Sequence, residues 1–156
     1  MKRVMTLLSA LLILLTAGCG KNRDQTPTAD LQMFYNELEQ EFGWDNLVPT
    51  EGEMLEAYYP GLQELNLKQL VAVAPMMSAV VNEMVFLEAQ TEEDAIRAEA
   101  ILQQRMDDQI AGGAWYPESI AAWEKGEILR EGNFVALIAS NQRQSEVSAR
   151  FKALFA

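Results

Sequence analysis

Histidine is absent from this chain of 156 residues, and cysteine occurs once. The first absence excludes Ser-His-Asp and Cys-His catalysis and the usual zinc sites, all of which need an imidazole. The second leaves no internal disulfide, so the fold must hold by packing alone. Gly-rich phosphate loops, GxSxG elbows and DxDxDG calcium loops are missing as well. Positive charge is scarce: 12 Lys and Arg stand against 23 Asp and Glu, a net charge of −11. Such a surface repels nucleic acid and anionic headgroups. Its plain use is solubility; a cationic partner is the sharper reading. No apolar run reaches the length of about 20 residues that a membrane span needs. The stretch from Met5 to Leu15 has only eleven.

That short stretch follows Lys2 and Arg3 and leads into Leu15-Thr16-Ala17-Gly18-Cys19. A positive start, a short apolar segment and small residues before a cut describe a secretory signal peptide. A cysteine directly after the small residues looks like the lipobox of bacterial lipoproteins, with Thr16 where Leu is commoner. Cleavage is then expected between Gly18 and Cys19, with a diacylglycerol on the Cys19 thiol. Two acyl chains are the physical minimum for stable retention, since one gives only marginal membrane affinity. An ordinary signal peptide with an incidental cysteine is the competing reading. The expected address is the extracytoplasmic face of the cell membrane, reached through lipid on Cys19. Residues 1–18 are read as signal, 19–29 as a polar flexible tether, and 30–156 as a single domain. Loss of Lys2 and Arg3 leaves ten basic against 23 acidic side chains, a net charge of −13.

Within the domain, Leu31, Phe34, Tyr35, Leu38 and Phe42 share one helical face over 30–42, and Gly43 supplies the stop. A short helix is expected from Thr50, with Glu53 completing a capping box and Met54, Leu55 and Tyr58 facing inward. Leu70 to Ala74 and Val80 to Ala89 are Val-rich and apolar, and read as two strands. Thr91, with Asp94, caps a long helix over 93–111 whose inner face is Ala95, Ala98, Leu102, Met106 and Ile110. Pro117 opens a short helix with Ile120 and Trp123 inward. Ile128 to Glu131 and Phe134 to Ala139 flank the turn Gly132-Asn133, a hairpin signal. A last helix over 142–155, capped by Asn141 or Ser140, carries Val147, Phe151 and Leu154. Two hairpin–helix units offset by about 50 residues thus follow two N-terminal helices. The expected fold is α+β: a four-stranded antiparallel sheet with both long helices on one face.

The order of these elements resembles the DUF4358 domain family of uncharacterised bacterial lipoproteins. The similarity runs from about residue 30 to 155. It rests on Met54-Leu55-Glu56-Ala57-Tyr58-Tyr59, Val73-Ala74-Pro75-Met76-Met77 and Asn82-Glu83-Met84-Val85-Phe86. Arg97 and Gln103-Gln104-Arg105 on the long helix, Trp115-Tyr116-Pro117, and Gly132-Asn133-Phe134-Val135-Ala136-Leu137-Ile138 complete it. The resemblance implies an envelope of Gram-positive type. It transfers no activity and no catalytic residue.

Candidate interaction residues come in two groups. Pro75, Met76 and Met77 interrupt two apolar strands, and methionine adapts to irregular binding faces. Filling the end of the core is the commoner use. Trp115 and Tyr116, like Trp44, stand beside expected loops and suit either a ligand shelf or core closure. The carboxylates, Glu83, Glu88, Asp107 and Asp108 among them, are the only conceivable catalytic groups, and no spacing fixes a pair among so many. No catalytic residue, metal or cofactor is therefore assigned. The leading expectation is a non-enzymatic, lipid-anchored interaction or accessory module of the cell envelope with a protein partner. The alternative is a small ligand-binding lipoprotein serving a transporter or sensor.

Overall fold

The computed structural model describes residues 28–44, 46–77 and 79–156. The expected signal sequence, Cys19 and the expected tether up to Pro27 lie outside the described residues. Helix α1, Leu31–Phe42, starts on Asp30, whose side chain accepts from the Met33 N–H, and ends at Gly43 with φ +63°. Strand β1 is Leu47–Pro49 and helix α2 is Gly52–Tyr58. A 3-10 turn at Leu62–Glu64 leads into strand β2, Leu67–Pro75, followed by β3, Asn82–Ala89. Helix α3, Glu92–Asp108, passes through a π-turn at Gln109–Gly113 to α4, Pro117–Glu124. Strands β4, Glu127–Glu131, and β5, Phe134–Ser140, precede α5, Gln144–Ala153. No helix among the described residues is long and apolar enough to cross a membrane.

The sheet is antiparallel, with strands in the order β1-β2-β3-β5-β4. It has five strands rather than the expected four. The addition is β1, three residues ending in proline, too short to show alternation. The pairing of the two hairpins is made by β3 and β5, with Met84 opposite Ile138 and Val85 opposite Leu137.

Every residue of β3 and β5 is buried. Side chains alternate across a strand, so a strand buried at every position needs cover on both faces. That requirement overturns the expectation of both long helices on one face. On one side Val85, Leu87, Val135 and Leu137 pack under α2, α3 and α4, through Leu55, Ala98, Leu102 and Trp123. On the other, Met84, Phe86, Phe134 and Ile138 pack under α1 and α5, through Phe34, Leu38, Val147 and Phe151. The hairpin–helix order recurs, but α3 and α5 diverge to opposite faces.

Smaller expectations change for local reasons. Thr50 does not cap α2: its N–H donates to the Ala72 carbonyl, so the sheet claims it, and Glu51 precedes the helix with no side-chain cap. Tyr59 rather than Tyr58 is the fully buried aromatic there. Ile110 faces out because the π-turn rotates the chain off the helical register. Leu154 is partly exposed, and Phe155 packs instead on Phe134 and Phe151 at 4.9 and 5.3 Å. Thr91 caps α3 as expected, accepting from the Asp94 N–H. Ser140 serves the start of α5 by accepting from the Gln142 and Arg143 N–H groups.

Candidate functional site

The polar centre of the molecule stands on the α3 face. Glu83 lies near the start of β3 and is 4% exposed. A carboxylate inside a strand otherwise apolar must find partners, because an unpaired buried charge is costly. Arg105, in the last turn of α3, supplies one. Its Nε donates to Glu83 Oε1 and its Nη2 to Oε2, each at 2.9 Å. This two-pronged geometry is the strong form of the pair. The Tyr59 hydroxyl, at the end of α2, donates to Oε1 at 2.5 Å. Three elements thus converge on one carboxylate.

The surroundings keep Tyr59 and Arg105 protonated. Burial, then the Glu83 charge and hydrogen bond, push the Tyr59 phenol well above its ordinary value, so it remains a donor. Burial works against the Arg105 charge, but the Glu83 hydrogen bonds and charge outweigh it and hold the guanidinium above its ordinary value. The Arg105 guanidinium carbon also sits 4.1 Å from the Tyr58 ring centre and 5.6 Å from that of Trp123. Both distances fall within cation–π range.

Arg105 and Glu83 form one wall of a cleft of about 240 Å³, with Pro75, Met76, Gly113 and Trp123 among its other lining residues. The loop after β2 and the segment after α3 meet here. Ser119 Oγ of α4 donates to the Ala79 carbonyl at 3.3 Å, joining the two. Of the residues singled out from sequence, Pro75 and Met76 line the cleft. Met77, Trp115 and Tyr116 do not line it, but belong to the same two segments. Their exposure is high: Trp115 86%, Met76 76%, Met77 62% and Tyr116 55%. Filling the core, the commoner use, is therefore not what these four side chains do. Trp44 goes the other way and is buried on the α1 face against Phe42, with ring centres 5.1 Å apart.

The remaining carboxylates do not assemble a reactive pair. Glu88 points to the opposite face of β3 from Glu83 and accepts from Lys68 and Gln69, both at 2.8 Å. Gln69 in turn donates to the Ala29 carbonyl and accepts from the Leu31 N–H, fastening the start of α1 to β2. Asp107 and Asp108 are exposed and accept from Gln103 and Gln104 one turn earlier. Among the described residues no cluster of three or more carboxylate or thiol side chains could hold a metal ion. A second cleft of about 240 Å³ lies at the β2 edge beside Tyr35 and Thr50, and has no ion pair in its wall. A wider, open groove of about 540 Å³ runs between α4 and the turn before α5.

Sequence reasoning named Glu83 as a strand carboxylate and Arg105 as a marker of resemblance, but not their pairing. Tyr59 was missed. The available signal was the charge itself: an acidic residue inside an apolar strand needs a cation from another element.

The profile of a family described as a domain of unknown function, DUF4358, matches residues 41–140. The matched span holds all five strands, the Glu83–Arg105–Tyr59 cluster and both exposed segments, and ends at the last residue of β5. No curated protein and no solved structure matches the chain.

Proposed function

Since the chain belongs to the DUF4358 family, whose function is unknown, we propose from its own residues that it is a non-enzymatic interaction module of the bacterial cell envelope. It is held on the extracytoplasmic face of the membrane by lipid on Cys19 and engages a protein partner. The observation that carries this reading is the exposure of Met76, Met77, Trp115 and Tyr116 on two adjoining segments. Large apolar side chains gathered at one place on a soluble surface mark interaction sites, whereas single scattered ones do not. Tryptophan and methionine are also enriched at the centre of interfaces. The lipid anchor rests on the Leu15–Cys19 sequence and agrees with the family resemblance to lipoproteins.

The small-ligand alternative fits less well. Sites for small molecules usually enclose about 300–1,000 Å³ and bury most of the ligand. The Arg105 cleft is about 240 Å³, and the larger groove is open and lined by surface residues such as Glu118 and Gln142. Catalysis is opposed by the lack of histidine and by the engagement of Glu83 with Arg105 and Tyr59.

Two variants test the reading. Cys19→Ser should leave the protein in the medium or as unprocessed precursor; fractionation like wild type would end the anchor claim. Met76→Ser with Trp115→Ser should abolish one cross-linked envelope complex while leaving the melting temperature unchanged. An identical cross-linking pattern in wild type and variant would end the interaction claim.

A further inference from the structure

Arg105 engages Glu83 with one edge of its guanidinium. The group carries five N–H donors in a rigid plane, and Glu83 takes one from Nε and one from Nη2. Among the described residues no hydrogen bond engages Nη1. The side chain is 14% exposed, and that exposure is into the cleft that Arg105 lines. The carboxylate fixes the plane of the group, and the Tyr58 ring covers one of its faces. The Nη1 edge is left as the part that can meet a ligand.

Charge decides which ligand. Glu83 neutralises Arg105, and no other Asp, Glu, Lys or Arg lines the cleft. The chain around it is strongly acidic. An anion entering here would lose hydration and gain little attraction from a pair of zero net charge. A neutral carbonyl loses less hydration and still receives a hydrogen bond from a charged donor. Gln109 stands in the same wall with an amide of its own, while Pro75, Met76 and Trp123 offer apolar contact.

We infer that this cleft takes an amide carbonyl flanked by an apolar side chain, as in a loop of a partner polypeptide, with Arg105 Nη1 as its donor. The inference rests on the interaction reading above and adds the polar anchor to it. Arg105 selects for an uncharged acceptor, and Glu83 is the positioning residue that both aims the guanidinium and cancels its charge.

The test uses two probes of equal shape, isovaleramide and isovalerate, which differ in charge at one end. The full-length chain in detergent is titrated with each while the Arg105 Nε–H, the Met76 methyl and the Trp115 indole are followed by NMR. Isovaleramide should shift Arg105 and Met76 together and saturably. Isovalerate should act at least about five-fold more weakly, near 1 kcal/mol, and inorganic phosphate should not act. In Glu83→Gln the pair carries a net positive charge, and the preference should move toward isovalerate. Equal or tighter binding of isovalerate by wild type overturns the inference, as does a set of probes that leaves Arg105 unmoved. If Met76 and Trp115 respond while Arg105 does not, the anchor is overturned and the interaction reading stands. If Arg105 responds as expected but the Met76→Ser, Trp115→Ser variant keeps its cross-linked complex, the interaction reading alone fails. Should Glu83→Gln not fold, the two probes on wild type still decide.

Discussion

The two faces of the sheet are built on different principles. Under α1 and α5 the core is aromatic: Phe151 stacks on Phe86 at 5.9 Å and meets Phe34 edge-on at 6.2 Å. Phe34 and Phe86 are 5.1 Å apart. Under α2, α3 and α4 the core is mainly aliphatic, with Tyr59 and Trp123 as its buried aromatics and alanines letting α3 lie close to the strands, and it contains the Glu83–Arg105 pair. The exposed Met76 and Trp115 segments adjoin that second face. The aromatic face holds a buried carboxylate too, but Glu88 is answered there by the half-exposed Lys68 and by Gln69, whereas Glu83 meets the largely buried Arg105. A buried ion pair contributes little net stability over apolar residues of the same size. Its presence beside a cleft therefore argues for a role other than stability.

The sharpest way to break this comparison is at Phe151. Phe151→Ala removes a fully buried ring from three aromatic contacts. It should cost about 3–5 kcal/mol, at the upper end of that range, a large share of the 5–15 kcal/mol or so that a domain has. Among the described residues the side chain of its neighbour Lys152 bonds only to Glu127, at 3.4 Å on the surface, and Lys152→Ala should change stability by less than about 1 kcal/mol. Urea denaturation separates the two. Equal midpoints would mean that α5 is not docked on the aromatic face.

On the other face, Arg105→Met should also destabilise, by about 3–5 kcal/mol, because Glu83 is left buried without its cation. The double variant Glu83→Met, Arg105→Met should recover most of that loss, since neither charge then needs a partner. Recovery of stability without recovery of partner binding would separate the two uses of the pair. A double variant as unstable as the single one would show that the pair is itself a stabilising element.

The gentlest comparison uses alkaline pH. Tyr59 on one face and Tyr35 on the other are both held above the ordinary tyrosine value of 10.0, each chiefly by burial. Glu83 and Glu39 add to the respective shifts. A raised phenol favours the folded state only where it is protonated. The stabilisation is complete below the unfolded value, about 10, and is lost as pH climbs from there toward the folded value. Stability should therefore fall above pH 10, and Tyr59→Phe should flatten that fall at the cost of about 1.5–3 kcal/mol at neutral pH, from the lost hydrogen bond to a charged acceptor. Tyr35→Phe should flatten it too, with a smaller loss at neutral pH, because Tyr35 donates 3.0 Å to Glu39 in a partly exposed pair. Unchanged alkaline slopes in both variants would place the titration elsewhere.

Local signals were legible where one element supplies both partners. Gly43 as the stop of α1, Thr91 with Asp94 at the start of α3, Pro117 at the first position of α4 and Gly132-Asn133 between β4 and β5 all involve residues within a few positions of one another. The continuous apolar run of 134–139 announced an interior strand for the same reason. The candidate site was legible only in pieces. Glu83 and Arg105 are 22 residues apart on different elements, and Tyr59 lies 24 residues before Glu83. Nothing in the spacing says that they meet. Met76 and Trp115 carry the same ambiguity, because an apolar side chain beside a loop suits a core end or an exposed rim equally well.

What the sequence determined by itself is therefore set by short-range chemistry. It specifies the helices with most of their starts and stops, the hairpins, most of the apolar faces, the acidic charge, the want of an imidazole, and the signal-like start with its single Cys19. What only the tertiary structure decided is set by competition among distant elements for the two faces of one sheet. A strand such as β3, buried at every position, demands two covering layers, and only chain connectivity and helix packing decide which helix takes which side. That choice sent α5 to the aromatic face and α3 to the other. It brought Arg105 across to Glu83, and left Met76 and Trp115 facing water beside them.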